Sequence, residues 1–125
     1  IVPSPNAGTN GDLLFSVSCA SASECVAVGY TYPGSAYETL VMVWNGTVWS
    51  IVSSPNVGTS FDALLSVSCM SASDCLAVGY ARVGNNVIET LVLSLTGPEP
   101  EPTTTTTTTA GQTTPGDPVV PAFTG

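Results

Sequence analysis

Ser16-Val17-Ser18-Cys19-Ala20-Ser21-Ala22-Ser23-Glu24-Cys25-Val26-Ala27-Val28-Gly29-Tyr30 returns fifty residues later as Ser66-Val67-Ser68-Cys69-Met70-Ser71-Ala72-Ser73-Asp74-Cys75-Leu76-Ala77-Val78-Gly79-Tyr80. Each passage reads as two β-rich runs joined by a short polar connection with a cysteine at either side. Working outward, residues 1–37 and 51–87 align without a gap, and 22 of the 37 positions carry the same residue. After one inserted residue the copies stay in step, Glu38-Thr39-Leu40-Val41 matching Glu89-Thr90-Leu91-Val92. A repeat of this length is commonly one supersecondary unit that cannot bury its own apolar faces and stacks on its copies.

Within each unit the signals are all for strands. Leu13, Phe15, Val17 and Cys19 alternate on one face; Cys25 to Tyr30 is a second run, and Glu38 to Trp44 a third. Asn45-Gly46 between apolar runs predicts a hairpin into a fourth run, Thr47 to Val52. No helical period or cap is present. Val26, Val28 and Tyr30 oppose Ala27 and Gly29, while Leu40, Met42 and Trp44 oppose Val41 and Val43, so the sheet is apolar on both faces and needs cover on both. The expected fold is all-β: two four-stranded antiparallel blades of a partial β-propeller, packed face to face, followed by a disordered tail. The units are read as 5–50 and 55–97 within a folded region 1–97, with 98–125 as a stalk. The second copy stops at Gly97, short of a fourth strand. Ile1 to Ser4 match Ile51 to Ser54 and are expected to complete it, antiparallel to Leu91–Leu95.

The five residues between Cys19 and Cys25, and between Cys69 and Cys75, are a hairpin-length connection that brings both sulfurs within bonding reach. Disulfides within each hairpin imply an exported protein. The alternatives are a four-cysteine zinc site, which this spacing disfavours, and free buried thiols.

The order of strand, Ala27-Val28-Gly29-Tyr30, third strand, turn and Trp49 resembles a kelch blade. More closely, the SVSC-x-SAS-D/E-C-x-AVGY passages with Trp44-Asn45-Gly46-Thr47-Val48-Trp49 are similar to a repeat of large secreted proteins of actinobacteria. That family usually has tryptophan after its second cysteine, where this chain has Val26 and Leu76. The resemblance implies a propeller-like fold and an exported location, and no particular activity. Two blades do not close a ring, which takes about four to eight, so the expected neighbours are further blades of the same protein or other copies of it.

Charge narrows the function. Nine acidic side chains stand against Arg82 alone, with no lysine or histidine, for a formal charge of −8. Nucleic acid and anionic membranes are bound through Lys and Arg, so neither is an expected partner. No apolar run approaches the ~20 residues of a membrane-spanning helix. The chain opens on Ile1 without a targeting segment, which reads as a mature form or a fragment. Without histidine there is no Ser/His/Asp or Cys/His nucleophile, and without lysine no Schiff base.

Carboxylates remain. Asp12/Asp62, Glu24/Asp74 and Glu38/Glu89 occupy matching positions, and a glycosidase needs two such groups across one bond. An acid repeated in every unit more often ties a turn through backbone N–H groups. Asp12 and Asp62, after Asn-x-Gly-Thr loops, are also candidate ligand or calcium contacts, though one carboxylate per loop is poor provision for a cation that takes six or more oxygens. Neither metal nor cofactor is expected. Tyr32 and Tyr37, near Pro33-Gly34 and not repeated, are the candidate ligand surface; Tyr30, Tyr80, Trp44 and Trp49 read as core. Asn45-Gly46-Thr47 is formally an N-glycosylation sequon and is read as the hairpin turn.

From Pro98 the composition turns to proline and threonine. Thr103, Thr104, Thr105, Thr106, Thr107, Thr108 and Thr109 are candidate O-glycan carriers on an extended stalk. Pro121-Ala122-Phe123-Thr124-Gly125 resembles the Leu-Ala-x-Thr-Gly sorting signal of high-GC Gram-positive bacteria, with Pro121 in place of leucine. The whole reads as a non-catalytic extracellular module for adhesion or for binding a glycan or protein ligand at the cell surface. The alternative is the last blades of a secreted hydrolase or oxidase whose active residues lie upstream.

Overall fold

The computed structural model describes residues 1–95. The stalk, its threonines and the Pro121–Gly125 motif lie outside the described residues. Among the described residues seven strands form, β1 (Asp12–Ser21), β2 (Glu24–Thr31), β3 (Glu38–Trp44), β4 (Trp49–Val52), β5 (Phe61–Ser71), β6 (Asp74–Val83) and β7 (Val87–Leu95), and no helix. They make two antiparallel sheets, β1-β2-β3-β4 and β5-β6-β7, each in chain order.

The register repeats with the sequence. Val17 pairs with Ala27 and Ala27 with Met42, as Val67 pairs with Ala77 and Ala77 with Leu93. Both first strands carry a register shift, between Leu14 and Ser16 and between Leu64 and Ser66. The extra residue of this bulge drives the first strand onto the glycine opposite it. A Cβ on Gly29 would stand 1.8 Å from the Leu13 carbonyl oxygen, and one on Gly79 would stand 1.9 Å from that of Ala63. Only glycine admits backbone so near.

The sheets stack face to face. Val26, Val28, Val41 and Val52 from the first meet Leu64, Val67, Ala77, Leu91, Leu93 and Leu95 from the second in a single apolar cluster. β1 and β5 run side by side in the same direction, because the Val67 N–H donates to Ser16 Oγ (3.2 Å) and the Cys69 N–H to Ser18 Oγ (3.0 Å). Those amides belong to an edge strand and would otherwise lack partners within the stack.

Two expectations change. Ile1 to Ser4 belong to no strand, Ile1 is fully exposed, and the second sheet has three strands among the described residues. The reason lies in the loop ties. Asp62 accepts the N–H groups of Val57 (3.0 Å) and Gly58 (2.8 Å), tying β5 to the segment arriving from the first sheet. Asp12 holds Ala7 and Gly8 in the same way at 2.6 and 3.0 Å, so the leading segment is tied to β1, a strand of the other sheet. The fourth strand is also shorter than expected, beginning at Trp49. Asn45 Oδ1 accepts the N–H groups of Thr47 and Val48, both at 2.9 Å, and this side-chain cap spends Thr47 and Val48 on the turn.

Candidate functional site

Both cysteine pairs are disulfides, Cys19–Cys25 and Cys69–Cys75, each joining residues directly opposite in a hairpin. They agree with an extracellular location. The hairpin tips carry a second brace: Ser21 Oγ donates to Glu24 Oε1 (3.0 Å) and Ser71 Oγ to Asp74 Oδ2 (3.1 Å). Because the sheets stack in parallel, the two braced tips stand side by side at one end of the molecule.

Between them opens a cleft of ≈ 270 Å³. Trp44, Glu24 and Asn45 line it from the first sheet, with Ser71, Ala72 and the second disulfide opposite. Trp44 ends β3, and its indole N–H donates to the Ala22 carbonyl at 3.1 Å, which fixes the ring against the hairpin tip. The Trp49 ring packs beside it at 5.5 Å. Glu24 is half-buried and accepts only the Ser21 hydroxyl among the described side-chain bonds. The cleft is therefore bordered by Trp44, a carboxylate and an amide on a rigid frame.

At the other end of the sheets the aromatics join. Phe15, Tyr30, Tyr37, Phe61 and Tyr80 form a continuous row with centroid separations of 4.9 to 5.5 Å, and Tyr32 stacks on Tyr37 at 4.6 Å. The row crosses from one sheet to the other at the Tyr37–Phe61 bridge, where the Asp62 N–H donates to the Tyr37 carbonyl (2.9 Å). Tyr32 and Tyr37 are half-buried in this packing, so each offers part of a ring to a ligand.

Asp12 and Asp62 are the loop ties described above, and Asp62 is 2% exposed. A carboxylate sealed in that way serves the chain path and has little surface for a ligand. Among the described residues no three His, Cys, Asp or Glu side chains come together as metal ligands. The sequence alone presents Glu24 only as one of the repeated carboxylates, Asn45 as a hairpin turn and Trp44 as core. Their grouping depends on how the two hairpin tips sit relative to each other, which no spacing in one repeat encodes. Ser16 and Ser18 were likewise unassigned, although Ser-Val-Ser stands in both copies.

No known protein family matches the chain, and no curated protein or solved structure shows significant similarity to it.

Proposed function

We propose that the chain is a non-catalytic extracellular binding module, two propeller-type blades carried on a threonine-rich stalk, which takes a neutral glycan in the cleft between its hairpin tips. The observation that carries this reading is the grouping of Trp44, Glu24 and Asn45 around one opening. An aromatic ring covers the C–H face of a sugar, while a carboxylate and an amide bond its hydroxyls, so these three side chains supply both halves of sugar recognition. The opening is slightly below the usual range of about 300–1,000 Å³ for small-molecule pockets, a size that suits a chain end or a single ring. A formal charge of −8 repels polyanions and favours an uncharged ligand. Attachment at the cell surface by the tail belongs to the same proposal.

A panel of neutral oligosaccharides, read by tryptophan fluorescence and calorimetry, tests it. At least one is expected to bind with an emission change, and Trp44→Ala and Glu24→Gln each to weaken that binding at least about tenfold, a loss of ~1.4 kcal/mol. Glu24→Gln leaves the packing of Trp44 untouched and so separates ligand contact from folding. Absence of binding across the panel, or binding indifferent to both substitutions, overturns the reading.

A further inference from the structure

The contact between the two sheets uses a different face of each repeat. The first sheet offers Ser16, Ser18, Val26, Val28 and Val41; the second answers with the opposite side of the same unit, Leu64, Val67 and Ala77. Among the described residues one molecule therefore carries both halves of this joint a second time, in part uncovered: on the outer face of the first sheet Ala27, Leu40 and Met42 are buried with Trp49, and Leu14 and Val17 are open. Leu14 and Val17 are 45% and 57% exposed, whereas their counterparts Leu64 and Val67 are 0% and 7%. On the far side the relation reverses, Val78 being 45% exposed and Val28 0%. Ser66 and Ser68, which correspond to Ser16 and Ser18, are exposed as well.

We infer that the uncovered face of the second sheet, carrying Ser66, Ser68 and Val78, docks a second copy of this chain through that copy's Leu14 and Val17, head to tail. The internal joint supplies the geometry. Ser66 Oγ receives the Val17 N–H of the incoming copy and Ser68 Oγ its Cys19 N–H, just as Ser16 and Ser18 receive Val67 and Cys69. Val17 and Cys19 hold the same register against β2 as Val67 and Cys69 hold against β6, so their N–H groups point the same way. Exposed apolar surface gathered on two opposite and mutually complementary faces marks a heterologous contact, one that propagates into a ring or a chain of copies. Two replacements make the new joint weaker than the internal one. Ser94 stands where the first sheet has Val43, and Gly11 where the second has Phe61. This pairing depends on the stacked sheets alone and not on the glycan cleft.

Sedimentation of the full 125-residue chain, from micromolar to near-millimolar concentration, tests the inference. Association that grows with concentration is expected. Val17→Lys blocks one face and Val78→Lys the other, and each alone is expected to weaken association at least about tenfold. Mixed together, the two variants keep one intact face apiece and are expected to form one-to-one dimers that grow no further. Both positions are exposed, so the fold should hold, as circular dichroism and intact disulfides would verify; Ser68→Glu blocks the second face independently of Val78. A wild-type chain that stays monomeric throughout overturns the inference. So does association that one of the two lysine variants leaves intact, since pairing of like faces behaves in that way, or a mixture that fails to dimerise.

Discussion

The two repeats share a ladder, a bulge, a disulfide and a loop tie, but at several positions their burial is reversed. In the first, the valines at 26, 28 and 41 lie buried while Leu14 and Val17 are open; in the second, Leu64 and Val67 are buried while Val78 is open. Identical side chains thus contribute differently according to the neighbour they meet. Burial at these positions belongs to the junction between units, as the nearest-neighbour description of repeat proteins holds. The first sheet also keeps a smaller cluster of its own on the outer face, Ala27, Leu40 and Met42 with Trp49.

That contrast can be broken most forcefully at the leucines. At dilute concentration Leu64→Ala should cost about 3 kcal/mol, the low side of the range for buried leucine truncations, and Leu14→Ala under about 1 kcal/mol. Chemical denaturation with matched m-values would read the difference. Equal costs would show that the outer face of the first sheet is as well covered as the joint. The valines invert the order of the repeats. Val28→Ala should lose about 2 kcal/mol and Val78→Ala about 0.5 kcal/mol, from the methyl groups removed and the cavity left behind. A thermal shift of several degrees for Val28 against about one or two for Val78 is the corresponding melting result.

The smallest effect sharpens the comparison at its polar seam. Ser16→Ala strips the Val67 amide of its acceptor inside the stack, a loss of about 1 kcal/mol, whereas Ser66→Ala in the isolated molecule should be neutral within about 0.5 kcal/mol. Hydrogen exchange of the Val67 amide gives a direct reading, faster in Ser16→Ala and unchanged in Ser66→Ala.

The strands, the hairpins and the cysteine pairing were legible because each rests on local order: alternation, turn residues and a short connection repeated twice. Packing of the two sheets face to face followed from apolar residues on both sides of β2 and β3. What could not be read was set by the contact between units. The sequence match of Ile1–Ser4 with Ile51–Ser54 is real, yet that segment joins no strand, and the chain after it is tied by Asp12 to the first sheet. Nor does a period of two say what a serine on a strand face will meet. Ser16 and Ser18 look like solvent-side residues until a neighbouring edge strand brings its N–H groups to them. The cleft was hidden for the same reason, since Trp44 and Ala72 come together only across the joint.

The connection after the second strand of each unit has a further meaning. In the first repeat Thr31 pairs with Glu38, and residues 32–37 form an open loop that carries Tyr32 and Tyr37. In the second the ladder runs on to Val83 and Val87 and closes at Gly84-Asn85-Asn86, the two asparagines taking positive φ values of 35° and 64°. The extra residue is absorbed there without disturbing the ladder below, where Gly29 faces Leu40 as Gly79 faces Leu91. One scaffold tolerates two unrelated solutions at this point. Duplicated units of this kind can therefore diverge in the length and chemistry of that loop while their stacking surfaces stay fixed, and a foreign peptide grafted between Val83 and Val87 should be displayed at little cost to the rest of the molecule.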